Sequence, residues 1–330
     1  ELAKAGQTQK ALQIFDDALN VARSISDDSD KAEALSDIAS ELAKAGRFSK
    51  AFDVAESISD DSYKAEALSD IASELAKAGQ FNKALTVARS ISDDYFKAWA
   101  LSDIASELAK AGQTQKALQI FDKALNVAGS ISDDSEKAEA LSKIASELAK
   151  AGQTQKALQI FDDALNVAGS ISDDDNKAEA LKDIASELAK AGQTQKALLI
   201  FDKAFDVAGS ISDDYYSKAS ALRDIAVELA KAGQFDKAVS VAGSIPVDSY
   251  KAYALSKIAS ELAKAGQTQK ALLIFDKAVS VAGSISFDSD KAEALSDIAS
   301  ELAKAGQFDK AVNVAGSIYD DRYKASALSE

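Results

Sequence analysis

The chain has no cysteine, no histidine and no methionine, and only one proline and one tryptophan in 330 residues. Without Cys or His there are no disulfides, thiol nucleophiles, imidazole acid-base chemistry or the usual zinc ligands. No cofactor is implied, and no enzyme is expected. Lys and Arg number 38 against 53 Asp and Glu, a net charge of −15. That balance argues against a nucleic-acid partner, because neutralising phosphates takes clustered cations. No apolar run approaches the ~18 residues that a membrane-spanning helix needs. Neither a signal peptide nor an initiator Met is visible, so Glu1 is expected to lie inside a longer gene product.

What is present is repetition. The stretch Glu41-Leu42-Ala43-Lys44-Ala45-Gly46 also opens the chain at Glu1, and it returns ending at Gly79, Gly112, Gly152, Gly192, Gly233, Gly266 and Gly306. The spacings between successive glycines are 40, 33, 33, 40, 40, 41, 33 and 40 residues. Periods of this size mark stacked helical arrays. Within one unit, Leu35, Ile38, Ala39 and Leu42 fall at i, i+3, i+4 and i+7, which predicts an amphipathic helix (helix A) over Lys31 to Ala45. Asp30 and Glu33 have the spacing of a capping box, and Gly46 suits a left-handed closure. A second helix (helix B) follows within about three residues, which requires an antiparallel hairpin. Strand patterns are absent. The expectation is an all-α chain, with residues 1–330 forming a single continuous array of about nine hairpins and no capping repeat at either end.

Helix B comes in two lengths. In the long form Ala11, Phe15, Ala18, Ala22 and Ile25 share a face; in the short form Ala51, Ala55 and Ile58 do. The two differ by seven residues, which turns the downstream face by only ~20° and keeps the packing stripe. The residue before helix A's Lys-Ala follows this length. It is aromatic after every short helix B (Tyr63, Phe96, Tyr250, Tyr323) and polar after every long one. Packing over surface left bare by the missing turns is the favoured role. With Trp99 and Tyr253 nearby, a recognition stripe is the alternative.

Acidic turns such as Ser26-Asp27-Asp28 and Asp173-Asp174-Asp175 join helix B to the next helix A. They lack the spaced ligand pattern of a calcium loop, so solvated turn and cap roles fit better. Pro246 sits in one of these turns. Gly129, Gly169, Gly209, Gly243, Gly283 and Gly316 lie in the last turn of helix B, where early termination or close helix approach would account for them.

The run from Ala32 through Leu35, Ile38, Ala39 and Leu42 to Gly46, followed by Ala51, resembles the tetratricopeptide repeat. In long units Ala11, Phe15 and Ala18 match that family's helix B pattern. The resemblance covers essentially the whole chain, and it implies a right-handed α-solenoid, a superhelix of stacked antiparallel hairpins. Inter-repeat packing then falls to Leu35, Ile38, Leu42 and Phe15, with Tyr63, Phe96, Tyr250 and Tyr323. The chain departs from the family in having Ala for the small Gly of helix A, in lacking most closing prolines and in alternating helix B lengths.

The resemblance also implies peptide binding in the groove lined by helix A, sometimes through an Asn and Lys clamp on a ligand carboxylate. Possible groove contacts are Lys44, Lys77, Lys110 and Lys150 with Ser40, Ser73 and Ser106. The clamp's Asn is replaced by Ser in these units, and once by Val227. The lysines fit better as partners of Glu41-type residues. Groove positions are nearly uniform, with Lys182 and Arg223 among few exceptions, whereas a groove evolved for one peptide should vary along its length.

Function is therefore expected to be structural, with copies of the chain stacking end to end into a superhelical fibre. Glu1 corresponds to Glu41 and Glu330 to Asp37, so both ends interrupt helix A, and joining them would leave only three residues missing. The alternative is a protein- or peptide-binding adaptor using the helix A groove. An extracellular site would suit a fibre and a cytoplasmic one an adaptor.

Overall fold

A computed structural model describes residues 8–211 and 215–329, with the backbone alone for residues 8–12. Glu1 and Gly6, the Ala11 side chain and Glu330 lie outside the described residues. The described residues form helices and turns, with no strand among them. The chain divides into two compact units, Glu1–Val167 and Ala168–Glu330, with the boundary falling inside one helix.

The first unit runs α1 (Thr8–Ser24), α2 (Asp28–Lys44), α3 (Phe48–Glu56), α4 (Asp61–Lys77), α5 (Phe81–Ser90), α6 (Asp94–Lys110), α7 (Thr114–Ser130), α8 (Asp134–Lys150) and most of α9 (Thr154–Ser170). The second runs α10 (Asp174–Lys190), α11 (Thr194–Ser210), α12 (Tyr215–Lys231), α13 (Phe235–Gly243), α14 (Asp248–Lys264), α15 (Thr268–Ser284), α16 (Asp288–Lys304), α17 (Phe308–Gly316) and α18 (Asp321–Ser329). Even-numbered helices are the A helices and odd-numbered ones the B helices. Long B helices have 17 residues; the short ones, α3, α5, α13 and α17, have nine or ten.

Helix A begins three residues earlier than its apolar pattern predicts. The cap is Asp27 in extended geometry, its carboxylate accepting the N–H groups of Ser29 and Asp30. Asp30 itself lies inside the first turn, so the expected Asp30/Glu33 capping box is replaced. In the first unit Asp60, Asp93 and Asp133 repeat the cap, and in the second Asp173 does. Each such cap stabilises its helix by about 1 kcal/mol. Where Val247 or Phe287 takes the place, no side-chain cap forms.

Closure of helix A follows from glycine. Gly46 sits at φ +73° while Arg47 N–H donates to Leu42 O and Gly46 N–H to Ala43 O, both at 2.8 Å. These bonds satisfy carbonyls that the helix end would otherwise leave bare. The glycines in the last turn of helix B behave differently. A methyl group added at Gly129, Gly209 or Gly283 would meet nothing within 4 Å, so close helix approach is excluded there. Early helix termination does not account for them either, since α1, with Arg23 at the equivalent position, ends at the same place as α7.

Each unit builds its core from the faces the two helices share. In the first, Leu42, Leu68, Ile71, Ile104, Phe121, Ile144 and Leu148 are fully buried, and Leu35 is buried. Ile38 and Phe15, in the first hairpin, are only half-buried. In the second, Ile184, Phe201 and Phe275 fill the same role. Alanines such as Ala39, Ala72 and Ala105 are also fully enclosed, letting helices approach closely. Burying one such Leu, Ile or Phe contributes about 1.5–3 kcal/mol.

Candidate functional site

The candidate site is the polar face of helix A. Helical spacing puts Glu41 and Lys44 three residues apart on one surface, and they pair at 2.8 Å. Lys77 pairs with Glu74 and Lys110 with Glu107, each at 2.7 Å, and Lys150 pairs with Glu147 at 2.6 Å. The hydrogen bond to Glu107 is the largest influence on Lys110 and holds its ammonium above the usual lysine range. Exposed pairs of this kind are worth only about 0.3–0.5 kcal/mol. Their effect on the face is to engage every lysine named as a groove contact.

The serines are engaged too, and their partners vary with helix B. Ser40 donates to Asp70 at 2.6 Å and Ser73 to Asp103 at 2.7 Å, each across a short helix B. Across three long ones the acceptor is a glutamate instead, Ser106 donating to Glu147, Ser186 to Glu228 at 2.5 Å and Ser260 to Glu301, while Ser146, also followed by a long helix B, is buried without a partner. The two acceptors sit four residues apart on helix A, one turn and about 6 Å along the axis. A shorter helix B delivers the next helix A further along its predecessor, so the same hydroxyl meets an earlier residue. The shift has the direction that the missing turns demand and is smaller than their ~10 Å length.

This register explains the one missing serine. α12 is followed by the short α13, so its acceptor would be the first of the two positions, and in α14 that residue is Lys257. An ammonium cannot accept a hydrogen bond, and the donor position holds the apolar Val227. Lys143 occupies the same acceptor position in α8, but there the long α7 brings Glu147 to Ser106 and the serine is kept.

Burial pushes Glu147 up, but hydrogen bonds from Lys150 and Ser106, with the Lys150 and Lys110 charges, outweigh it and hold the carboxyl below its usual range. Glu228 and Glu301 are depressed by the same balance. Elsewhere on the A helices burial dominates: it pushes Glu66 up, with the charges of Asp70, Asp37 and Glu33, and Glu136 up, with those of Asp133, Asp93 and Glu139.

Two places interrupt the uniform face. In the first unit Tyr95, Phe96 and Trp99 cluster on α6, with ring centroids 5.2 Å and 5.1 Å apart, and Lys143 lies 3.6 Å from the centre of the Trp99 ring. The indole Nε1 is buried without a hydrogen-bond partner. In the second unit the Arg223 guanidinium lies 5.0 Å from the Tyr250 ring centre and 5.8 Å from that of Tyr253. Between α10 and α12 a cavity of about 210 Å³ is lined by Asp175, Glu179, Lys182, Ser217, Ser220 and Asp224. Burial lowers the affinity of Lys182 for its proton, but Asp183, Glu179 and Asp224 more than reverse this.

Of the packing residues read from the sequence, Leu35 and Leu42 are buried, while Tyr63, Phe96, Tyr250 and Tyr323 are half-buried. The junction register was missed in the sequence. Its signal was the step in helix B length combined with the fixed positions of Ser40, Asp70 and Glu147. Among the described residues, no group of three or more acidic side chains is placed to hold a metal ion, and no helix is long and apolar enough to cross a membrane.

Residues 136–210 match the sequence pattern of the tetratricopeptide repeat. Over that stretch the chain is similar to tetratricopeptide repeats, and its fold is an all-α helical repeat. No curated protein sequence matches the chain. Solved structures of similar fold include Ton1535 from Thermococcus onnurineus NA1, at 21% identity over 88% of this chain and 97% of that one, TM-score 0.40. Another is the nearly identical TPR-like repeats of a putative kinesin light chain from Podosopora anserina, at 13% identity over 61% and 100%, TM-score 0.34. A third is a Rap protein complexed with competence and sporulation factor, at 15% identity over 91% and 95%, TM-score 0.31.

Proposed function

We propose that this tetratricopeptide-like chain is a non-catalytic structural array, one continuous stack over residues 1–330, that joins copies of itself into a fibre. The observation that carries this is the self-sufficiency of the helix A face. Lys44, Lys77, Lys110 and Lys150 are paired within their own helices, and Ser40, Ser73 and Ser106 donate to the next helix A. A binding groove would aim such groups outward, since recognition of a charged or polar ligand depends on donors and acceptors left for it. Here they fasten repeat to repeat. Electron microscopy of purified protein across a concentration series tests the proposal: the expected result is long fibres of uniform width. Particles that remain single 34.6 kDa chains at every concentration would sink it.

An adaptor is the second reading, favoured by the cavity between α10 and α12 and the neighbouring Arg223, where the face is least uniform. It requires a protein partner whose binding is lost on Lys182→Ala or Arg223→Ala. Loss on Lys110→Ala and Lys150→Ala would place the partner on the regular face instead.

A further inference from the structure

We infer that the space between α5 and α7 is a docking groove for an extended acidic segment of a partner protein, one in which carboxylates alternate with aliphatic side chains. The groove lies between B helices, and its use is independent of how copies of the chain assemble.

Five cations border this space in a chain where acids outnumber bases 53 to 38. A hollow of about 650 Å³ is lined by Lys83, Lys116 and Lys123, with Phe81, Leu85 and Ile120 among its apolar residues. A second hollow of about 340 Å³ shares Leu85 and Lys123 and adds Arg89 and Lys97, beside Leu101 and Val127. No carboxylate lines either one.

Other repeats show why these cations are left over. The lysine that is third in helix B pairs with an aspartate of the preceding helix B where that helix is long: Lys50 with Asp16, Lys156 with Asp122, Lys237 with Asp202 and Lys310 with Asp276. Lys83 and Lys116 follow the short α3 and α5, and they donate instead to the neutral Gln80 and Gln113, at 2.8 Å and 3.0 Å. Arg89 stands where α3 has Glu56, which pairs with Lys64 at 2.8 Å. Lys97, the counterpart of Lys64, keeps only Asp94 at 3.9 Å. Lys123 stands where α9 has Asp163. Neither Arg89 nor Lys123 has an ion-pair partner among the described residues.

Charge and spacing select the occupant. Lys83 and Arg89 are six residues apart on α5, and Lys116 and Lys123 seven apart on α7, so the cations spread over about 10 Å of each helix. One carboxylate or phosphate group bonds only donors within about 3 Å and would engage one end. A wholly polar polyanion would leave the half-buried Phe81, Leu85 and Val127 facing water. An extended peptide sends successive side chains to opposite faces. Alternating residues therefore lay the aliphatic groups against Leu85 and hold the carboxylates among the cationic heads, whose stems lie along apolar surface.

The test is fluorescence anisotropy of a labelled peptide of about eight residues alternating Asp and Ile, titrated with full-length protein. The variant is Arg89→Glu with Lys123→Asp, which installs the acids that α3 and α9 carry at those positions, so helicity by circular dichroism should match the parent. Its Kd is expected to rise about 10-fold or more, and added salt should weaken binding to the parent. Lys270→Glu, at an exposed lysine of α15, should leave Kd unchanged. An all-Asp peptide of the same length should bind more weakly despite its greater charge. A parent that does not bind the alternating peptide, equal losses in both variants, or an all-Asp peptide that binds as well, overturns the groove. Phosphatidylglycerol vesicles that bind the parent where the peptide does not would make a lipid surface the occupant and overturn it too. The fibre proposal stands whichever of these results is found.

Discussion

Gly112 shows how a single residue type sets the repeat. It sits at φ +76° with nothing within 4 Å of where a methyl would be. Gly112→Ala should therefore cost only the conformational strain, about 1–2 kcal/mol, measured as a shift in the urea midpoint. Gly129→Ala at the end of α7 has the same open surroundings and ordinary φ, so it should be neutral or slightly stabilising. The contrast isolates backbone geometry from packing. Core residues obey the other rule: Phe121→Ala removes a fully buried ring and should cost about 3–5 kcal/mol. Hydrogen exchange should show that loss concentrated in α6, α7 and α8, since repeat arrays are stabilised neighbour by neighbour. Unchanged protection there would contradict the stripe assignment.

At the scale of the helix, the sequence was legible where chemistry is local. Apolar positions recurring every three to four residues located helix A, and Gly46 located its end, because each depends on residues a few places apart. Its beginning was read three residues late. The run Asp27-Asp28-Ser29-Asp30 offers several caps, and only the extended conformation of Asp27 decides among them. Junction register was not legible, because it depends on how far α3 or α7 carries the chain before α4 or α8 starts. That register has a measurable consequence in acid. Glu147 is depressed in the folded state, so its contribution to stability is present above the usual glutamate value of about 4.3 and is lost as pH falls through the lower folded value. Glu66 is raised, so its charge weakens the fold at neutral pH, and protonation as pH falls through the raised value relieves it. Lowering pH through the folded value of Glu147 should weaken its contact with Ser106, read as lower amide protection around Ser106 and Glu147 after correction for intrinsic exchange. Glu66→Gln should raise the melting temperature at pH 7 and have little effect at pH 3.

For the molecule as a whole, charge opposes assembly. A net charge of −15 makes copies repel, and the proposed fibre must form against that repulsion. Screening lengths fall from about 30 Å at 0.01 M salt to about 8 Å at 0.15 M. Assembly should therefore strengthen as salt rises over that range, followed by light scattering at fixed protein concentration. Weakening with salt would mean that ion pairs hold copies together.

The two lengths of helix B also bear on how such a chain avoids tangling with itself. Its A helices are nearly interchangeable, and interchangeable neighbours invite mispairing during folding, where one repeat docks on a look-alike several units away. From α1 to α17 the B helices run long, short, short, long, long, long, short, long, short. That order never repeats with a fixed period, so sliding the chain against itself brings a Ser40-type hydroxyl to the wrong turn at some junction. Helix length thus works as an address, written in steps of one turn, that near-identical sequences could not supply.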